Sequence, residues 1–402
     1  MKLHSVQMLR AVAALLVVGF HIRAVQAGAI ADLTGTTRNF AAWPVIENGF
    51  AGVDLFFVIS GFIMVLVTGS GGRGPGASGI FLLSRSVRIY PIWWLFAGAM
   101  TAYMLISYGT VNTGSGGWTD LANTASVPEY LAKSFALIPQ ERYPVLAVGW
   151  TLVHEMYFYV VFAITLLFAR RWLWMFLLGW AALVVGFSLA GFSRPSADSV
   201  TSLVVHPMTL EFIAGAFAGL AVSSGRRIAP ATLSIVAVVW LVAVLVFVLP
   251  AEEQGPLSGG LIALQGHQFS IVTGENWSSF VLEWGRVIAF GPPCALLVYA
   301  FASLDADGKM PISRSLSVVG DWSYALYLSH ILVLVAIARL LPAIAASPFF
   351  ALIALPAVLL VAGLTYTLVE RPLMNAFSRW RKSAFQDGTH VPRPAPIAAR
   401  IW

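Results

Sequence analysis

The chain predicts an all-α, polytopic membrane protein of about ten transmembrane helices, and three observations carry that expectation. Charged residues make up 10% of its 402 positions and hydrophobic residues 58%. A soluble domain carries about 25% charged residues, so too little charge is present here to cover a water-facing surface. Apolar runs near the roughly 20 residues that cross a hydrocarbon core recur along the whole chain. The charges sit in short clusters between those runs, as membrane topology demands. The net charge of +6 therefore reads as topology and not as affinity for nucleic acid.

Taken in order, the expected spans are Met8–Ala27, Phe50–Thr68, Val87–Tyr108, Trp150–Ala169, Trp172–Ala190, Pro207–Val222, Ala231–Leu249, Trp284–Ser303, Leu316–Leu340 and Phe349–Val369. No repeat of fixed period and no separate soluble domain interrupts them. Residues 1–378 read as one transmembrane unit and residues 379–402 as a basic, proline-containing cytoplasmic tail. With the N-terminus inside and sides alternating, 17 of the 24 lysines and arginines face the cytoplasm and 7 face outward. That bias places both termini on the cytoplasmic side of a multi-pass inner-membrane protein. Ala27-Gly28-Ala29 has the small-residue look of a signal-peptide end. Arg10 inside the apolar run and Arg23 just before the supposed site both argue against cleavage.

An ionisable side chain inside a bilayer costs at least a few kcal/mol, so each needs a reason. Arg10 and His21 share the first span, eleven residues and roughly 16 Å apart, which puts His21 in the outer third. Gly52-Val53-Asp54-Leu55-Phe56-Phe57-Val58-Ile59-Ser60-Gly61-Phe62 opens the second span, with Asp54 and Ser60 as its polar members. Ser84-Arg85-Ser86-Val87-Arg88-Ile89-Tyr90-Pro91 is read as the cytoplasmic start of the third. Arg85 and Arg88, three residues apart, point the same way on a helix and suit phosphate, or serve as plain positive-inside anchors. The fourth span begins Trp150-Thr151-Leu152-Val153-His154-Glu155 and enters from outside, so Glu155 falls at the depth of His21 and is expected to pair with it. Glu211, Arg286 and His330 add polar groups in later spans. So many buried charges require a polar interior cavity, which fits an enzyme or a transporter.

Together these residues resemble the acyltransferase-3 family of integral membrane acyltransferases, and within it the exopolysaccharide acetyltransferases. The likeness runs from Gln7-Met8-Leu9-Arg10 to Glu370-Arg371-Pro372-Leu373. Arg10 and His21 meet the family's basic residue and histidine separated by ten. Arg85 and Arg88, followed by Ile89 and Pro91, meet its arginine pair. Trp150, Thr151, Leu152, Glu155, Phe158 and Tyr159 meet a Trp-Ser/Thr-Leu-x-x-Glu-x-x-Phe-Tyr pattern, and Ser323, Tyr324, Tyr327, Leu328 and His330 a Ser-Tyr-x-x-Tyr-Leu-x-His pattern. One departure is His206-Pro207 ahead of Glu211, where relatives tend to have Asn-Pro.

The resemblance implies an acyl-CoA donor, usually acetyl-CoA, held from the cytoplasmic side as a substrate, with no permanently bound cofactor. It implies as acceptor a hydroxyl of an extracytoplasmic or lipid-linked glycan. His21 is then the expected general base, Glu155 its orienting partner, and Arg10, Arg85 and Arg88 the cations for CoA phosphates. Asp54, Ser60, Trp150, Tyr159, Glu211, Arg286, Tyr324 and His330 are expected to line the substrate space. An acyl-histidine intermediate is the variant mechanism. No hydrolase-like domain follows the spans, so the transmembrane unit is expected to complete the transfer.

The remaining residues take blander readings. His4, His206, His267 and His390 are expected on surfaces or loops. The single cysteine, Cys294, reads as an inert core thiol, and it allows neither an intrachain disulfide nor a thiolate metal cluster. No zinc spacing, Walker loop or dinucleotide fingerprint is present. The tryptophans mostly suit helix packing and interfacial belts against membrane lipid, with Trp93 and Trp94 near an entry point as typical belt positions. Homo-oligomerisation stays open. A glycan or lipid-linked sugar transporter, and an inactive membrane assembly partner, are the rivals from other classes.

Overall fold

The computed structural model describes residues 3–35, 44–69, 71–109, 111, 127–140, 143–192, 199–225, 227–247 and 276–386. The stretches 112–126 and 251–275 of the two long connections, His267, His390 and the tail beyond Gln386 lie outside the described residues. Among the described residues the chain is all helix and turn, with no strand. Nine helices among the described residues are long and apolar enough to cross a membrane. They fall on nine of the ten expected spans. The seventh falls on the helix Pro230–Phe247.

The first helix, α1 (His4–Thr34), runs 31 residues and stops where Gly35 takes a left-handed conformation at φ 67°. Next in the core comes α2 (Gly52–Val67), the most enclosed of the spans. Its partner is α7, as numbered here after α3 (Pro75–Tyr108), α4 (Val127–Ala136), α5 (Trp150–Thr165) and α6 (Leu173–Leu189); α7 covers Thr209–Ser223. Glycines let these two backbones meet. A Cβ on Gly61 would lie 1.9 Å from the Phe212 carbonyl oxygen, and one on Gly215 1.9 Å from that of Val58. In lipid, where apolar burial drives helices together only weakly, such close packing is a main source of association.

The third span departs from expectation, and the departure moves two site residues. The helix α3 begins at Pro75, twelve residues before the expected Val87, and runs 34 residues to Tyr108. Proline at the first helical position lacks only an N–H that would have no partner there, so Gly74-Pro75 is a natural start. Arg85 and Arg88 therefore do not stand at a helix entrance. They lie ten and thirteen residues inside, roughly 15 and 20 Å along the axis. Trp93 also departs from the interfacial expectation. It is fully buried, and its indole N–H donates to Ser134 O at 3.2 Å, while Trp94 donates to Phe135 O at 3.0 Å and Tyr90 Oη to Ala136 O at 3.0 Å. These three bonds dock α4 against α3.

The chain closes with α8 (Pro230–Phe247), α9 (Asn276–Ala306), α10 (Arg314–Asp321), α11 (Ser323–Leu340), α12 (Phe350–Thr365) and α13 (Arg371–Gln386). Between α12 and α13, Tyr366–Glu370 forms a π-helical turn that buries Glu370. Cys294, on α9, is a free thiol in the core.

Candidate functional site

Five helices, α1, α2, α3, α5 and α11, enclose a cavity of about 80 Å³. It follows α2 from Val53 to Met64, roughly 16 Å of helix. Arg10, Arg85, Arg88, Ser60, Glu155, Tyr159 and Tyr324 all line it, so seven of the thirteen expected site residues meet in one space. The cavity walls carry three arginines and one carboxylate. Arg85 is only 2% exposed, and its guanidinium carbon lies 5.5 Å from the Phe81 ring centre and 5.7 Å from that of Tyr159. A guanidinium is weakly hydrated for a cation and stacks on aromatic faces, which is how one is held at this depth.

Glu155 is the hub of the polar wall. Ser60 Oγ donates to Glu155 Oε1 at 3.0 Å, Tyr159 Oη donates to the same oxygen, and Ser60 Oγ lies 3.1 Å from Tyr159 Oη. Glu155 and Tyr159 are four apart on α5 and so share a helical face. Tyr324 Oη donates to Ile89 O at 2.8 Å, and Arg10 Nη1 to Gln7 Oε1 at 3.4 Å. Glu370, turned inward by the π-helical segment, lies within electrostatic reach of Arg10 and Arg88. Its role escaped the sequence reading, because hydrophobic periodicity assumes an unbroken α-helix and a π-turn rotates one residue onto another face.

His21 does not pair with Glu155, contrary to the expectation from depth. His21 Nδ1 lies 2.9 Å from Val17 O and 3.2 Å from His330 Nε2, with the two rings 4.9 Å apart. Counting residues along two helices gives matching depth but not which way each face turns, and α5 turns Glu155 toward α2. The histidine pair sits beyond the cavity. Tyr327 separates them, with its ring 5.8 Å from that of His330 and 5.9 Å from that of Phe56. Tyr327 Oη donates to Val148 O at 3.1 Å and accepts from Thr151 Oγ1 at 2.9 Å. Tyr327 and Thr151 were visible in the motifs but their bond across the bundle was not.

Asp54, Arg286, Glu211 and Trp150 make a second cluster that is not part of the cavity wall. Arg286 Nε donates to Asp54 Oδ1 at 2.9 Å and Nη2 to Asp54 Oδ2 at 2.7 Å. The guanidinium also lies over Phe50, 5.0 Å from its ring centre, and 5.9 Å from that of Trp150. Glu211 is buried beside Gly291, within electrostatic reach of both charges. This cluster ties α2, α7 and α9 together. Next to it, the His154 and His206 rings meet edge to face, 4.7 Å apart. His206 is buried, not a surface histidine as expected, and its Nδ1 accepts from the Met208 N–H at 3.3 Å. His4 is half-buried and lies 3.1 Å from Ser317 Oγ.

A family model described as an acyltransferase domain matches residues 3–367. The exopolysaccharide production protein ExoZ of Rhizobium meliloti is 30% identical over 336 residues, which cover 81% of this chain and 90% of ExoZ. The acyltransferase MdmB of Streptomyces mycarofaciens is 26% identical over 370 residues, 84% of each chain. No solved structure matches the chain.

Proposed function

Because the chain belongs to this acyltransferase family and is a multi-pass membrane acyltransferase, we propose that it moves an acyl group, the acetyl group foremost, from cytoplasmic acyl-CoA to a hydroxyl of an extracytoplasmic or lipid-linked glycan. The observation that carries this reading is the convergence of Arg10, Arg85 and Arg88 on one cavity with a single lining carboxylate. Three guanidiniums bordering one cavity suit an anion with several oxygens, and the phosphates of CoA are such an anion. The basic asymmetry of the connections supports a cytoplasmic location, in the inner membrane, for the end on which α1 begins. The name of ExoZ supports a glycan acceptor.

The chemistry then runs along α1. Phosphates rest among the arginines, and the arm carrying the thioester passes Tyr327 toward His21, roughly 16 Å from Arg10. His21 takes the proton of the acceptor hydroxyl as its oxygen attacks the thioester carbonyl. The C–S bond breaks, and the thiolate leaves with the proton that His21 returns. Glu155, held by Ser60 and Tyr159, serves as a fixed acceptor inside the cavity and not as the partner of His21.

The test is purified full-length protein in proteoliposomes, given acetyl-CoA and base-deacylated surface polysaccharide of the host cell. Free thiol should appear only when both are present, and the polysaccharide should gain acetyl mass. Thioester loss that is indifferent to polysaccharide, or polysaccharide movement without thioester loss, would overturn the reading.

A further inference from the structure

We infer that His330 is the positioning residue of His21: its Nε2 accepts the Nδ1–H of His21, which aims the His21 Nε2 lone pair at the acceptor hydroxyl and stabilises the imidazolium formed there. The inference rests on the reading of His21 as the base. It starts from a carbonyl. Val17 O, 2.9 Å from His21 Nδ1, can only accept, so the hydrogen of the neutral His21 ring sits on Nδ1 and the lone pair on Nε2. His330 Nε2 lies 3.2 Å from that same Nδ1, and a nitrogen already carrying hydrogen offers it no lone pair. His330 therefore meets it as acceptor, with its own hydrogen on Nδ1. One backbone oxygen sets the tautomers of both rings.

The surroundings keep this arrangement in place. His330 is fully buried on α11, with the backbone carbonyls of Leu326 and Tyr327, one helical turn back, facing its ring as acceptors. The Phe20 ring stands edge-on to His21 at 5.1 Å, and Tyr327 packs against His330. When His21 takes the acceptor proton on Nε2, its positive charge spreads to Nδ1–H, and the three-centre contact with Val17 O and His330 Nε2 strengthens. In hydrolase triads a carboxylate fills this place. A neutral imidazole does it here without adding a second charge at membrane depth before the reaction begins, which lipid penalises. No proton passes to His330: the one taken at Nε2 returns to the leaving thiolate.

The test compares His330→Phe, which fills the space without an acceptor, and His330→Gln, which restores an acceptor oxygen, in the proteoliposome assay above. His330→Phe should lower kcat by about 10²- to 10³-fold with KM for acetyl-CoA unchanged, and Gln should recover about tenfold of that. The double variant His21→Ala/His330→Phe should be no slower than His21→Ala alone, because residues acting as one unit lose non-additively. Full activity of His330→Phe beside an inactive His21→Ala would overturn the positioning role and leave the base intact. An active His21→Ala would overturn the base itself. Additive losses, or no recovery with Gln in a protein whose size-exclusion profile and acetyl-CoA binding match the parent, would also overturn it.

Discussion

The protein buries two clusters of charge, and they differ in what surrounds them. Arg286 is held by Asp54 through two hydrogen bonds and capped by Phe50 and Trp150, with Glu211 buried beside the pair. Arg10, Arg85 and Arg88 instead border open volume, with Glu155 as the one carboxylate on the wall. Both clusters draw on the same residue types within the same short motifs. A matched pair carries structure, because breaking it strands a charge. Guanidiniums that border a hollow leave room for an anionic ligand beside them. The difference predicts that variants of the first region lose stability and those of the second lose function.

The largest effect should come from the pair that lies just beyond the hollow. His21→Ala should lower glycan acylation by about 10²- to 10⁴-fold while leaving membrane insertion and thermal unfolding unchanged. Acylation at parental level, measured by mass analysis of surface polysaccharide, would remove His21 from the chemistry. For the matched pair, Arg286→Ala should cost about 3–5 kcal/mol of stability by leaving Asp54 uncompensated. Thermal unfolding in detergent reads this directly. If Arg286→Ala kept its stability and lost activity, the division between the two regions would fail.

A smaller effect sharpens the donor side. Loss of one charge-assisted bond to phosphate is worth about 1.5–3 kcal/mol, so Arg88→Ala should weaken acetyl-CoA binding roughly 10- to 100-fold with little change toward the acceptor. Arg88→Lys should fall between, since the charge stays and the fork is lost. Unchanged donor affinity in Arg88→Ala would return this arginine to a topological role. The mildest perturbation tests which end of the bundle is cytoplasmic. In a Cys294→Ser background, single cysteines at Gly76 or Gly79, near the start of α3, should react only when the inner face is accessible. Labelling of these positions in intact cells would invert the proposed donor and acceptor sides.

Much of this was legible in the chain. The expected Phe50–Thr68 lies within a residue of Gly49–Val67 at each end, and Arg10 and His21 sit on one continuous helix as their spacing required. Bilayer thickness and helix rise set such features, and both act locally along the chain. The start of α3 was misplaced because a hydropathy window discounts a turn that carries Arg85 and Arg88. The aromatic faces that make those charges tolerable come from Phe81 nearby and from Tyr159 on another helix.

The all-helical membrane class, the place of nine of the spans and the stock of buried polar residues were thus determined by sequence alone, since each depends on composition over a stretch of about 20 residues. Which of those residues meet was decided only by tertiary structure. His21 and His330 are 309 positions apart, and Ser60 and Glu155 are 95 apart. Their meeting depends on how far each helix is rotated about its own axis. That rotation is set by contacts such as Gly61 against Phe212 and Gly215 against Val58, where two backbones close to a distance that only a missing side chain permits.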